Sequence, residues 1–273
     1  MKKMLFLRGV LIVMLCGVLR AQSSQATPEK LVPMAANADP SFEVATIKPT
    51  DPDHPANALP LGHRIDFPGT TVRFLLAFIY NVHDKQIVNA PDWIASKKYD
   101  FEGVPDAAGS PNLQQIQVMF QKLFADRLQL KFHHEQREMS SYTLTVVKGG
   151  PKLTVSPDDP TGYHSLLGVP QRGMKGHNLT MADFASRLQS GILDRPVVDQ
   201  TNLHGKYDFE LKWTPDETQF NQVGAKMPPL SDSSNAPPGL FTAIQEQLGL
   251  KLAPAKTLVD VLVIDHIQEP SAN

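Results

Sequence analysis

Two groups of residues in this chain have the types and spacing for chemistry. One is the pair His133–His134 running into Glu135; the other is the pentapeptide Lys-Tyr-Asp-Phe-Glu, which occurs at Lys98–Glu102 and again at Lys206–Glu210. An imidazole beside a carboxylate is the raw material of acid–base catalysis or of a metal site. On a strand, neighbouring side chains point to opposite faces, so His133 and Glu135 share one side and His134 takes the other. No HxxxH spacing, paired CxxC or acidic calcium loop accompanies them. A solvated strand bearing Glu135, Arg137 and Glu138 is the expected setting, with no metal and no cofactor. Nucleophile signals are equally thin: there is no Gly-x-Ser-x-Gly elbow and no Ser-x-x-Lys. Asp51-Pro-Asp53-His54 sets two carboxylates by an imidazole, but in a loop broken by proline.

Within the pentapeptide, a strand would place Tyr and Phe on one face and Asp on the other. The plainer reading is a core-facing aromatic pair whose carboxylate ties down a neighbouring turn. The functional reading makes Tyr99, Asp100, Tyr207 and Asp208 ligand contacts. Asp199-Gln-Thr-Asn-Leu-His-Gly205 is a turn in which Asp199 and Thr201 satisfy backbone donors and Asn202 and Gly205 tolerate positive φ. Asn89-Ala-Pro-Asp-Trp93 takes the same place earlier in the chain. The candidate ligand-binding set is therefore Trp93, Tyr99, Asp100, His133, Asp199, His204, Tyr207 and Asp208, with no catalytic or metal-ligating residue assigned.

The elements that must position these residues repeat. Thr71–Glu102 and Thr180–Glu210 each read as an N-capping threonine, a helix, a valine-rich strand, a turn with an apolar anchor (Trp93 or Leu203) and the pentapeptide. A second helix follows in each, ending in LQLKF or LGLKL, then one polar and one apolar strand. Met181, Phe184, Leu188 and Ile192 fall at helical spacing, as do Ile116, Phe120, Leu123 and Phe124. The expected fold is α+β: two tandem helix-strand-strand-helix-strand-strand modules, mostly antiparallel sheet layered with helices, in one body. The boundaries are a disordered lead-in at 27–40, module one at 41–155, a linker at 156–178, and module two at 179–273 with a long polar insertion at 214–239.

Residues 1–26 read as a cleavable signal peptide. Lys2, Lys3 and Arg8 precede the apolar run Gly9–Leu19, which is short of the roughly 20 residues a membrane-spanning helix needs. Cleavage after Ala21 or Ala26 would remove the only cysteine, Cys16. It would also remove four of the 26 basic residues and none of the 28 acidic ones, leaving a charge of about −6. That excludes thiol chemistry and gives no basic footprint for nucleic acid. The expected product is periplasmic or extracellular, with no membrane span after cleavage.

FEVATIKP, QIVNAPDWI followed by KYDFE, ADRLQLKFHHEQREMSSYTLTVVKGGPKL, RPVVDQTNLHGKYDFELKW and LFTAIQEQLGLKLAPAKTLVDVLVIDHIQEPSAN together resemble one family. It is a soil-associated family of exported proteins of uncharacterised function, abundant in acidobacterial-type bacteria. The resemblance runs from Phe42 to the C-terminus. It departs at Thr201–Gly205, where Thr-Asn-Leu-His-Gly stands for the family's usual Thr-Gly-Leu-Thr-Gly. The resemblance implies no activity or catalytic residue; similar domains fused to membrane metallopeptidases imply an extracytoplasmic sensing or interaction role. The expected function is a non-catalytic module binding an envelope protein, a glycan or a small ligand. The alternatives are a hydrolase at the seam between modules, using Asp100 or Asp208 with His133 or His204, and a structural role in envelope assembly.

Overall fold

Strand β1 (Phe42–Pro49) and strand β2 (Ile65–Thr71) lead into helix α1 (Val72–Tyr80), whose N-cap Thr71 accepts a hydrogen bond from the Phe74 N–H at 3.2 Å. A 3-10 turn at Asp84–Gln86 passes into β3 (Ile87–Val88), the short α2 (Trp93–Ser96) and β4 (Lys98–Pro105). Then come α3 (Leu113–Arg127), capped reciprocally by Asn112 and Gln115, and the long β5 (Lys131–Val146). The second half continues through β6 (Thr154–Val155), β7 (Ser165–Val169), β8 (Gly173–Leu179) and α4 (Met181–Gly191). β9 (Val197–Asp199), β10 (Tyr207–Leu211), α5 (Leu240–Leu248) and β11 (Leu250–His266) complete it. This computed structural model describes residues 32–51, 64–157, 165–169, 173–220 and 236–271. The leader at 1–26, the Asp53–His54 pair and most of the 214–239 insertion lie outside them.

The fold is α+β, as the alternation of helical and strand periods implies. Three sheets form, ordered β1-β4-β2, β6-β10-β8-β7 and β3-β11-β5-β9. The first two are antiparallel, and each has a pentapeptide strand, β4 or β10, inside it. In the third, β5 and β11 form an antiparallel ribbon from Leu250↔Val146 to Ile264↔Phe132. Short parallel partners cover opposite ends of this ribbon: β3 beside Leu262–Val263 and β9 beside Tyr142–Leu144.

Apolar side chains sit at the ends of the ribbon, and the halves exchange them. The first core gathers Leu75, Ile79, Phe101, Phe120 and Phe124 and is completed by Leu262 and Ile264 of β11. The second gathers Phe184, Leu188, Phe209 and Ile244 with Tyr142 and Leu144 of β5. Each core thus needs a strand from the other half, and Val32 onward is one compact unit. Between the ends β5 is mostly polar from His133 to Ser141, while β11 sets the buried Val259 and Val261 opposite Arg137 and Glu135. The ribbon is held there by its ladder and by cross-strand pairs such as Ser141 Oγ–Thr257 Oγ1 at 2.7 Å and His134 Nδ1–Asp260 Oδ2 at 2.6 Å.

Three expectations need correction. The polar and apolar strands expected after each second helix are single strands: β5 has no Gly or Pro to break it, and the proline of β11, Pro254, stands where the ladder to β5 needs no N–H. The 156–178 linker contains β7 and β8, and β8 pairs with β10 from Tyr207↔Leu179 to Leu211↔Met174. Its glycines read as loop, yet the backbone pairing of β10 requires only an edge. The lead-in is ordered where it is described: Met34 is buried, its N–H bonds the Ser110 carbonyl at 2.8 Å, and Ala35 accepts from Gln115 Nε2. In the insertion, the described Phe220 stacks on Trp213 and Thr214 bridges Gly239.

Candidate functional site

The two pentapeptide carboxylates do the same mechanical work in their separate sheets. Asp100 Oδ1 accepts from the Gly69 N–H at 2.7 Å and from Thr50 Oγ1 at 2.8 Å. Gly69 has φ +61° where the β2–β4 register slips between Phe67 and Thr70. Asp208 Oδ1 accepts from the Asn178 N–H at 2.8 Å and from the Ser156 hydroxyl. Asn178 has φ +55°, where the β8–β10 register slips between Tyr207 and Phe209. Each carboxylate therefore fastens a bulge and the segment beyond the neighbouring strand, the commonest use of a bulge being to end or re-aim pairing. Tyr99, Phe101, Tyr207 and Phe209 are buried on the opposite face.

One difference separates the two. His177 Nδ1 lies 3.1 Å from Asp208 Oδ1, where the first half has Pro68 in the matching place. The Ser156 hydroxyl, then the Asn178 N–H and His177, hold the Asp208 carboxyl below its usual range. Serine, aspartate and histidine meet here in an order unsuited to nucleophilic catalysis. In a hydrolytic triad the imidazole stands between hydroxyl and carboxylate and removes the hydroxyl proton. Here the carboxylate is in the middle and the hydroxyl donates to it. His177, Ser156 and Asp265 were absent from the sequence-derived candidates; extending the internal comparison back from Thr180 to set His177–Asn178 against Pro68–Gly69 would have pointed to the first.

The remaining candidates are dispersed. Trp93 packs edge-on against Tyr99, with ring centres 6.4 Å apart. The Tyr99 hydroxyl donates to Glu269 Oε1 at 3.0 Å, and Lys97 Nζ reaches the same oxygen at 2.6 Å. Burial, then Glu269, pushes the Tyr99 phenol up to about 12. Pro49, Lys97, Lys98, Tyr99 and Glu269 border a shallow hollow. Asp199 Oδ1 accepts from the Thr201 N–H at 2.9 Å, and the Thr201 hydroxyl accepts from the Leu203 N–H. Asn202 has φ +55°, whereas Gly205 is needed for space: a Cβ there would stand 2.9 Å from the Tyr207 hydroxyl. His204 is exposed, and Asp208 takes His177 as its imidazole partner.

His133 lies on β5, in the third sheet. Its Nδ1 is 2.9 Å from Asp265 Oδ1 and its Nε2 is 3.2 Å from Glu135 Oε1, while Arg137 Nε bonds Glu135 Oε2 at 2.8 Å. The Asp265 bond, then the Glu135 bond, raises the imidazole above its ordinary 6.5. A raised folded-state value stabilises the fold fully below the unfolded value, and the contribution is lost as pH rises through the folded one. An NMR titration is expected to place His133 above 6.5 and to bring it back toward that value in Asp265→Asn; titration at or below 6.5 in the parent chain would refute the array. Among the described residues no group of three or more His, Cys, Asp or Glu side chains could hold a metal ion, and no helix is long and apolar enough to cross a membrane.

No curated protein and no solved structure matches this chain. Residues 73–267, from the first turn of α1 to the residue after β11, match the family described as Protein of unknown function (DUF3738). With a match over most of its length, from the first helix through both pentapeptide strands to the end of the ribbon, the chain belongs to that family.

Proposed function

We propose that this chain is an exported, non-catalytic interaction module of the bacterial envelope, built from two copies of one ancestral unit. The observation that carries the reading is the employment of its carboxylates: Asp100 and Asp208 are bound by backbone and hydroxyl donors at bulges. A group spent on holding the backbone is poorly placed to shuttle protons. Duplication is supported by more than the shared pentapeptide. Both halves have a threonine N-cap, a short strand parallel to the ribbon, a positive-φ residue beneath the carboxylate and one long ribbon strand. Export is supported by the positive start, the apolar run Gly9–Leu19 and the small residues at Ser24 and Ala26. The ligand of such a module would be an envelope protein, a glycan or a small molecule, in the soil-bacterial setting the resemblance implies.

Two measurements test this. Mass spectrometry of the protein from its own host is expected to find it outside the cytoplasm, beginning at Gln22 or Thr27; an intact chain retained inside would overturn export. A panel of ester, amide, phosphate and glycoside substrates is expected to show no turnover. Turnover that disappears in a folded Asp208→Asn variant would instead establish the hydrolase.

A further inference from the structure

The two ribbon strands expose their outer edges differently. On β5 the Tyr142 N–H donates to the Pro196 carbonyl and the Leu144 carbonyl accepts from the Gln200 N–H, the two residues that flank β9, so even-numbered residues direct their backbone groups outward. Odd-numbered ones face β11, as the Val147 N–H to Gly249 carbonyl bond shows. On β11 the Asp260 and Ile264 carbonyls accept from Gln86 and Asn89 side chains, so even numbers are outward there too. Pro254 occupies one of these outward positions and offers no N–H, a device that blunts an edge against pairing. The matching edge of β5 has no such device. Among the described residues β9 is its only strand partner, from Tyr142 onward, which leaves the backbone of Phe132–Ser140 with no strand beside it over roughly 27 Å, the Arg195 guanidinium reaching the Ser140 hydroxyl at its end.

Charged residues on an open edge normally repel a second strand. Here they are self-complementary. Antiparallel pairing of this edge with its own copy must set even residues opposite even ones. Centred on Glu135 it would oppose glutamate to glutamate, and centred on Arg137, arginine to arginine. Centred on Gln136, it sets Glu135 opposite Arg137 of the second copy, Arg137 opposite its Glu135, and His134 opposite its Glu138. Gln136 is also the midpoint of Phe132–Ser140, so this register uses the whole open edge. It ends with Lys131 of the second copy opposite Ser141, one residue short of where β9 takes over.

We infer that the partner of this edge is a second copy of the chain, joined through β5 about a two-fold axis at Gln136, making one continuous sheet across the dimer. The intrachain Arg137–Glu135 pair, with contacts of 2.8 and 2.7 Å, becomes half of a four-membered ring of alternating charges. This surface does not depend on whether the chain is exported or catalyses anything.

Sedimentation of the full chain over a hundredfold range of concentration tests it. The mass is expected to rise from 30.1 kDa to twice that value. Gln136→Pro removes an outward N–H without touching the ladder to β11 and is expected to leave a monomer at every concentration. Arg137→Glu should weaken association about tenfold or more, since two attractive cross-strand pairs become repulsive. Adding Glu135→Arg to Arg137→Glu restores the opposition of charges and should restore the dimer. A parent chain that stays at 30.1 kDa, or a dimer that persists in Gln136→Pro, overturns the proposal. If Gln136→Pro proves unfolded by circular dichroism, the charge-reversal pair decides: failure of the double variant to dimerise overturns it.

Discussion

Truncating Phe120 to alanine is expected to cost about 3–5 kcal/mol, the range for removing a large buried aromatic. Phe120 is 1 % exposed and joins four other rings. Its centroid lies 5.1 Å from Phe42, 5.2 Å from Phe67 and 6.3 Å from both Phe101 and Phe124, mostly edge to face. These rings come from β1, β2, β4 and α3, so the void would open where four elements meet and no single one could close it. The melting temperature should fall by roughly 6–20 °C for a chain of this size. Val155→Ala, at a side chain 70 % exposed, is expected to stay within about 0.5 kcal/mol of the parent. The shape of the melt carries further information. Because Leu262 and Ile264 of the second half finish the first core, and Tyr142 and Leu144 of the first half finish the second, a single transition is expected even in Phe120→Ala. Two separated transitions would mean that the halves hold themselves up independently.

What the sequence made legible was local. Thr180 and Asp183 announce the start of α4, and their reciprocal bonds are present at 3.0 and 3.1 Å. Met181, Phe184, Leu188 and Ile192 are buried at their helical spacing, and the pentapeptide aromatics face inward. Less legible was whatever depends on a distant partner. Gly173, Gly176, His177 and Asn178 carry a turn-like composition, yet β8 is a strand because β10 supplies its backbone bonds. Residues 33–35 have no periodicity that predicts order; the loop before α3 and the Gln115 side chain hold them. In the middle of β5 the run His133–Ser141 is polar at every position but Met139, so alternation fails there although pairing does not. The same limit applies to the candidate residues. Sequence spacing could group Asp100 with Asp208 by similarity, but it could not show that each is committed to a bulge in its own sheet.

That commitment makes Asp208 the decisive position. Asp208→Ala is expected to cost about 1–3 kcal/mol, since it strands the Asn178 N–H and the Ser156 hydroxyl that the carboxylate satisfied. The side chain is 32 % exposed, so water can re-satisfy part of the loss, which keeps the figure below that of a fully buried charge. Asp100→Ala, which strands Gly69 N–H and Thr50 Oγ1, should fall in the same range. The pH dependence separates charge from packing. The Asp208 carboxyl is held below its ordinary value, so its contribution is present above the unfolded value of 3.8 and disappears as pH falls through the folded one. Urea denaturation should therefore show the parent and Asp208→Ala differing fully at neutral pH and converging in acid. Asp208→Asn, which keeps an acceptor oxygen but not the charge, should lie between them at neutral pH. If Asp208→Ala instead unfolds at the same urea concentration as the parent across this range, the carboxylate is not a structural fastener, and its setting beside Ser156 and His177 would have to be explained by a ligand.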